Sequence, residues 1–166
     1  SPPGLKKGDR VSGAVNWTRR YTLMRSHTAA HILSHIVSDA TGALITGNQL
    51  EIEKTRIDFA LENFDKEKVQ EYITDANAVI RRGLPVTLSL VSRADAEKKL
   101  GGQLTTLAKG FSEDIQEVRI VAIDGFCAEA CGGTHVRNTG EIKGIQLRKI
   151  ENKGKHNRRI VIQLVD

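Results

Sequence analysis

Two short motifs far apart in the chain, His27-Thr-Ala-Ala-His31 and Cys131-Gly-Gly-Thr-His135, constrain the fold more than any other feature of the sequence. Each collects side chains that bind metal ions well. If they share one ion, the fold must carry residue 27 to within a few ångström of residue 131. Spacing at i and i+4 sets both imidazoles of the first pair on one helix face, with Cβ atoms about 5–6 Å apart, so two ring nitrogens can converge on one ion. Many such pairs are simply solvated or packed in a core. The second motif adds a thiolate and a third imidazole within one short loop, where Gly132 and Gly133 let the backbone turn sharply without Cβ clashes. Alone, Cys131 reads equally well as a small core residue. Together the motifs hold three of the five histidines and one of the two cysteines. Three imidazoles and a thiolate suit Zn²⁺ in softness and in number. The expectation is one zinc ion per chain, bound by His27, His31, Cys131 and His135.

Two neighbours are weaker candidates. His35 continues the helical series, but eight residues of helix put it about 12 Å from His27. It reads as a supporting, RNA-facing or surface residue. Cys127 falls on an expected strand, on the same face as Cys131 but about 13 Å away, and is set aside.

The remaining pattern is α+β, with helices packed on a largely antiparallel sheet. Ile32, Leu33, Ile36, Val37 and Ala40 recur at helical spacing, with Ser26 a reasonable N-cap and Gly42 a C-terminal stop. Residues 49–61 alternate as extended chain. Asp65 caps a second amphipathic helix carrying Val69, Tyr72, Ile73, Ala76, Val79 and Ile80, closed by Arg81, Arg82 and Gly83. Pro85 leads into a strand over 86–91, and a short helix follows over 94–100. Further strands are expected over 118–123, 142–150 and 159–165, the last two joined by a polar, basic hairpin tip. Residues 1–9 look like a linker, 10–17 alternate weakly as one strand, and Gly101-Gly-Gln-Leu104 is a loop without an assigned role.

At 166 residues and 39% hydrophobic, the chain can bury one substantial core. No stretch approaches the roughly 18 apolar residues of a membrane span. The N-terminus lacks a secretory pattern, and two cysteines are too few for a disulfide framework. A soluble, cytoplasmic protein with no membrane partner is expected. The net charge of +5 favours polyanionic partners, while 4% aromatic content argues against an extensive base-stacking surface. If nucleic acid is the partner, backbone phosphate contacts should carry more of the binding than stacked bases.

The paired motifs, in this order, closely resemble the editing domain of alanyl-tRNA synthetase and the free-standing AlaX-type alanyl-tRNA editing proteins. Trp17-Thr-Arg-Arg-Tyr-Thr-Leu-Met-Arg25, Asn138-Thr-Gly-Glu-Ile142 and Glu151-Asn-Lys-Gly-Lys-His-Asn-Arg-Arg159 extend the resemblance over residues 10–166. It implies a synthetase-type editing domain over 21–166, with residues 1–20 a linker or the trailing end of the N-terminal β domain that larger relatives carry. The implied activity is zinc-dependent ester hydrolysis of mischarged tRNA(Ala), chiefly Ser-tRNA(Ala), with Gly-tRNA(Ala) a further candidate.

The family keeps a polar specificity residue just after the zinc helix. That points to Thr46, Asn48 or Gln49, which an ordinary polar turn explains as well. Arg19, Arg20 and Arg25, with Lys153, Lys155, Arg158 and Arg159 at the hairpin, form the expected track for the acceptor arm, or simply solvated charge. Four protein ligands complete a tetrahedron, as in structural zinc sites. Zinc would then expand its coordination, lose a loose ligand, or orient the substrate while water attacks elsewhere. The alternatives are a non-catalytic zinc-stapled RNA-binding module and an excised domain of a full synthetase. A zinc amidohydrolase would want a carboxylate beside the histidines, and Thr28, Ala29 and Ala30 supply none. Sequence leaves Asp124, Glu129 and Glu141 unplaced.

Overall fold

A computed structural model describes residues 4–63, 65–101 and 115–166. Its first element is a helix, α1 (Trp17–Thr41). Asn16, not Ser26, is the N-cap: its side chain accepts the Arg19 amide, whereas Ser26 is buried in mid-helix. The extra turns contain Arg19, Arg20, Leu23, Met24 and Arg25, all good helix formers. The strand expected over 10–17 therefore does not form, and residues 9–16 carry no regular structure. Gly42 ends the helix at φ 72°, its amide donating to the Ser38 carbonyl. Glycine enters this left-handed turn without a Cβ penalty.

In place of one extended run over 49–61 there are two antiparallel strands, β1 (Ile45–Leu50) and β2 (Thr55–Phe59). The turn between them is closed by the Glu51 amide on the Lys54 carbonyl. Asp65 caps α2 (Lys66–Arg81) by accepting the Glu67 amide, and the expected stripe from Val69 to Ile80 is buried. The chain continues through β3 (Val86–Ser92), α3 (Arg93–Lys99), β4 (Glu117–Ile123) and β5 (Cys127–Ala130). A 3₁₀ turn (Thr139–Ile142), β6 (Gly144–Asn152) and β7 (Arg158–Val165) complete it. Strand β5 falls where extended chain is expected at Cys127, although four residues are too few to show a period of their own. The loop expected at 101–104 lies, beyond Gly101, outside the described residues.

The α+β class is as expected, but the strands form two antiparallel sheets, ordered β1-β2-β7-β6 and β3-β4-β5. The larger sheet turns Ile57, Phe59, Ile160 and Ile162 onto the apolar sides of α1 and α2, forming the main core with Leu33, Val37 and Ile73. The smaller sheet carries a satellite cluster of Ala96, Val118, Ile120 and Ala130. Ile57 is fully buried opposite Ile160. Ile57→Val is expected to cost about 1 kcal/mol of unfolding free energy, because the packed neighbours cannot collapse into the gap. Urea denaturation of the two proteins checks this. Among the described residues, no helix is long and apolar enough to cross a membrane.

Candidate metal centre

Mid-helix positions on α1 aim His27 and His31 from one face, with ring centroids 4.8 Å apart. The second half of the centre follows β5, where the Cys131 amide still donates to the Arg119 carbonyl of β4. The chain then turns through Gly132 and Gly133 and returns His135 to the histidine pair. The His135 ring centroid is 4.1 Å from that of His27 and 4.5 Å from that of His31. Cys131 Sγ is 3.6 Å from His27 Nε2 and 3.4 Å from His135 Nε2. One donor atom from each of the four residues lies within 4.8 Å of all the others.

These distances fit a tetrahedral ion. With Zn–S about 2.3 Å and Zn–N about 2.0–2.1 Å, sulfur and nitrogen ligands stand about 3.5 Å apart. The two measured S···N separations straddle that value. Each Nδ1 atom also has an oxygen partner of its own: Thr134 O at 3.3 Å from His27, Glu129 Oε1 at 2.9 Å from His31, and Thr28 Oγ1 at 3.1 Å from His135. Nε2 of each ring is left for the cluster. Partners of this kind typically orient metal-binding histidines.

The loop is held as firmly as the rings. Arg119 donates through Nε to the Cys131 carbonyl at 2.8 Å and through its guanidinium to the Gly133 carbonyl. Only one of the two glycines is required by packing. A Cβ on Gly133 would overlap the His27 imidazole, whereas Gly132 faces open space.

Without an ion, burial disfavours the Cys131 thiolate. Hydrogen bonds from His135, His27 and His31 outweigh it and bring the thiol down to about 3. The thiolate is the form that ligates metals. Burial lowers His135 to about 4, only partly offset by its bond to Cys131. Burial opposes charge on His31 too, but bonds to Cys131 and Glu129 prevail and hold it at about 9. The His31 side chain is 11% exposed and His135 7%. His27 and Cys131 are half-buried, so the cluster meets solvent on their side.

The other candidates fall elsewhere. His35 lies edge-on to Phe126, with centroids 4.9 Å apart. Cys127 packs against the main core, where burial pushes its thiol up to about 12. Asp124 sits in the β4–β5 turn, its amide on the Pro85 carbonyl. Glu141 accepts the Tyr21 hydroxyl at 2.7 Å and the amides of Arg137 and Asn138. Glu129, which the sequence leaves unplaced, and Thr28, which it gives no role, are the two further site residues. The available signals were a carboxylate two residues before the cysteine and a hydroxyl beside His27.

Residues 118–161 match the family described as the threonyl and alanyl tRNA synthetase second additional domain. The chain is 58% identical to the alanyl-tRNA editing protein AlaX-M of Methanosarcina acetivorans, over 98% of this chain and 66% of that protein. It is 56% identical to AlaX-M of Methanosarcina barkeri, over 98% of this chain and 67% of the relative. The chain belongs to the AlaX-M family of alanyl-tRNA editing proteins. It spans about two thirds of the length of these relatives. An alanine–tRNA ligase of Methanococcus maripaludis is also similar, 39% identical over 89% of this chain but only 16% of the ligase.

In this AlaX-M family chain, Thr46, Asn48 and Gln49 form part of strand β1 rather than a turn, and all three are exposed. The Thr46 hydroxyl donates to Asn157 Oδ1 at 3.0 Å, linking β1 to the β6–β7 hairpin. The seven basic candidates divide. Arg25 is 11% exposed and donates to the Ile142 carbonyl and to Asp166. Arg158 donates to Asn152 Oδ1 and the Gly154 and Asn157 carbonyls. Arg159 forks onto both Asp58 oxygens at 2.6 and 2.8 Å. Arg19, Arg20, Lys153 and Lys155 face solvent, although Lys153 lies 3.6 Å from Glu151.

Proposed function

We propose that this chain carries the hydrolytic site of a trans-editing deacylase. It removes a non-cognate amino acid from tRNA(Ala), chiefly serine with glycine a further candidate, using one Zn²⁺ held by His27, His31, Cys131 and His135. The convergence of these four donors, with every Nδ1 turned onto an oxygen, carries the proposal. The alanyl-tRNA editing names of the relatives support it. Zinc bound there would polarise the ester carbonyl and acidify a water molecule. The chain's own residues hold two rings buried and leave the His27–Cys131 side for the approach of the aminoacyl end. Arg19, Arg20, Lys153 and Lys155, which face solvent, are the cations of this set available to phosphates, while Arg25, Arg158 and Arg159 are engaged within the fold. The protein is assigned to the cytoplasm, and the stretch ahead of α1 to the linker from a preceding β domain.

A second reading keeps the metal and drops the chemistry. Four protein ligands are the usual mark of a structural zinc site, as in a zinc-stapled RNA-binding module. Mischarged Ser-tRNA(Ala) separates the two. Hydrolysis above the buffer rate that stops on chelation supports the deacylase. Stoichiometric zinc without hydrolysis supports the staple.

Selectivity for serine calls for a polar partner of the seryl hydroxyl. Thr46→Val is expected to lower the ratio of Ser-tRNA(Ala) to Ala-tRNA(Ala) deacylation rates about fivefold, the worth of one hydrogen bond. Unchanged relative rates would pass the role to Asn48 or Gln49.

A further inference from the structure

We infer that Thr28 and Glu129 are positioning residues that fix the tautomers of His135 and His31, so that both rings offer an unprotonated Nε2 to the metal. The inference rests on the metal centre proposed above and concerns what prepares it.

Thr28 is fully buried on α1, one residue after His27. Its hydroxyl has a single proton, and that proton has a destination: the Met24 carbonyl one helical turn back, at 3.1 Å. The lone pairs are then left to accept. One receives the Val136 amide at 3.3 Å, and the other faces His135 Nδ1 at 3.1 Å. With its proton on the Met24 carbonyl, the hydroxyl meets Nδ1 as an acceptor and Nδ1 carries the ring proton, the tautomer that a metal bound at Nε2 requires. Nε2 of His135 therefore keeps its lone pair, 3.4 Å from Cys131 Sγ.

Glu129 does the same for His31. It lies on β5, paired with Val121 of β4, and is 8% exposed. A carboxylate only accepts, so its Oε1, 2.9 Å from His31 Nδ1, selects the Nδ1–H form. Both residues stand behind rings rather than among the four donors. Their effect reaches the metal only through the histidines.

The test is zinc affinity, measured by competition with a chromophoric chelator, together with the visible spectrum of the Co²⁺-loaded protein. Thr28→Val keeps the shape but removes the acceptor, and Glu129→Leu removes the carboxylate. Each is expected to weaken zinc binding about 10- to 100-fold and to alter the cobalt spectrum. Thr28→Ser and Glu129→Gln, which retain an acceptor oxygen, should restore most of the affinity. These rescue variants also decide the matter should Thr28→Val or Glu129→Leu fail to fold. Variants with the wild-type urea midpoint, zinc affinity and cobalt spectrum would overturn the positioning role alone, as would Thr28→Ser or Glu129→Gln that fold normally yet bind no better than the disruptive variants. A wild-type chain that binds no zinc would overturn the metal centre and the inference with it.

Discussion

Cys131→Ala is expected to weaken zinc binding and to slow deacylation of Ser-tRNA(Ala) by about a hundredfold or more, while the protein stays folded. Cys131 supplies the one sulfur of the cluster, within 3.6 Å of two histidine nitrogens. Its loss leaves three imidazoles and no soft ligand, a set that holds zinc less selectively. The rate follows from the metal's share of transition-state stabilisation, several kcal/mol, at about 1.4 kcal/mol per tenfold. The fold should survive because Cys131 is half-buried at the end of β5 and only borders the core. Metal content, single-turnover deacylation and the urea midpoint measure the three parts separately. A folded variant that deacylates at the normal rate would remove zinc from the mechanism.

Gly133→Ala should come close to the same outcome by adding one methyl group. The new Cβ would occupy the space of the His27 ring. Two responses are open, and both damage the centre. The imidazole can swing away, which removes a ligand, or the loop can withdraw, which breaks the Arg119 bonds to the Cys131 and Gly133 carbonyls. Overpacking of this kind costs about 1–3 kcal/mol. Here that strain falls on the ligands, and zinc affinity is expected to drop about tenfold to a hundredfold. Gly132→Ala is the control, since a Cβ there meets nothing; it should bind zinc as the parent does. Equal affinities for the two variants would show that the tight approach at Gly133 is not needed. The comparison uses the same chelator competition, with thermal unfolding to confirm the fold.

Much of this was legible in the chain itself. His27 and His31 are one helical turn apart, and Cys131 and His135 share a Gly-rich loop, so the chemistry of each half is local. The same holds for α2, where Asp65 and the stripe from Val69 to Ile80 state a helix in the usual signals. Other elements have no such local statement. Residues 17–25 lack a clean apolar stripe, so nothing local marks Asn16 as the N-cap or sets the start of α1. Strand β5 has only four residues and owes its existence to pairing with β4. The split into two sheets likewise depends on which strand edges meet.

Side-chain roles show the same division. Arg25, Arg158 and Arg159 read as free cations because charge is all the sequence displays. Their engagement with Ile142 and Asp166, with the hairpin backbone, and with Asp58 comes from partners mostly far along the chain. The two metal motifs were therefore determined by sequence, since donor type and helical spacing are properties of neighbouring residues. Only the tertiary structure decided that Gly133 rather than Gly132 must lack a side chain, and that Thr28 and Glu129 stand behind the rings. Those are contacts through space between α1, β5 and the following loop, and no local period encodes them.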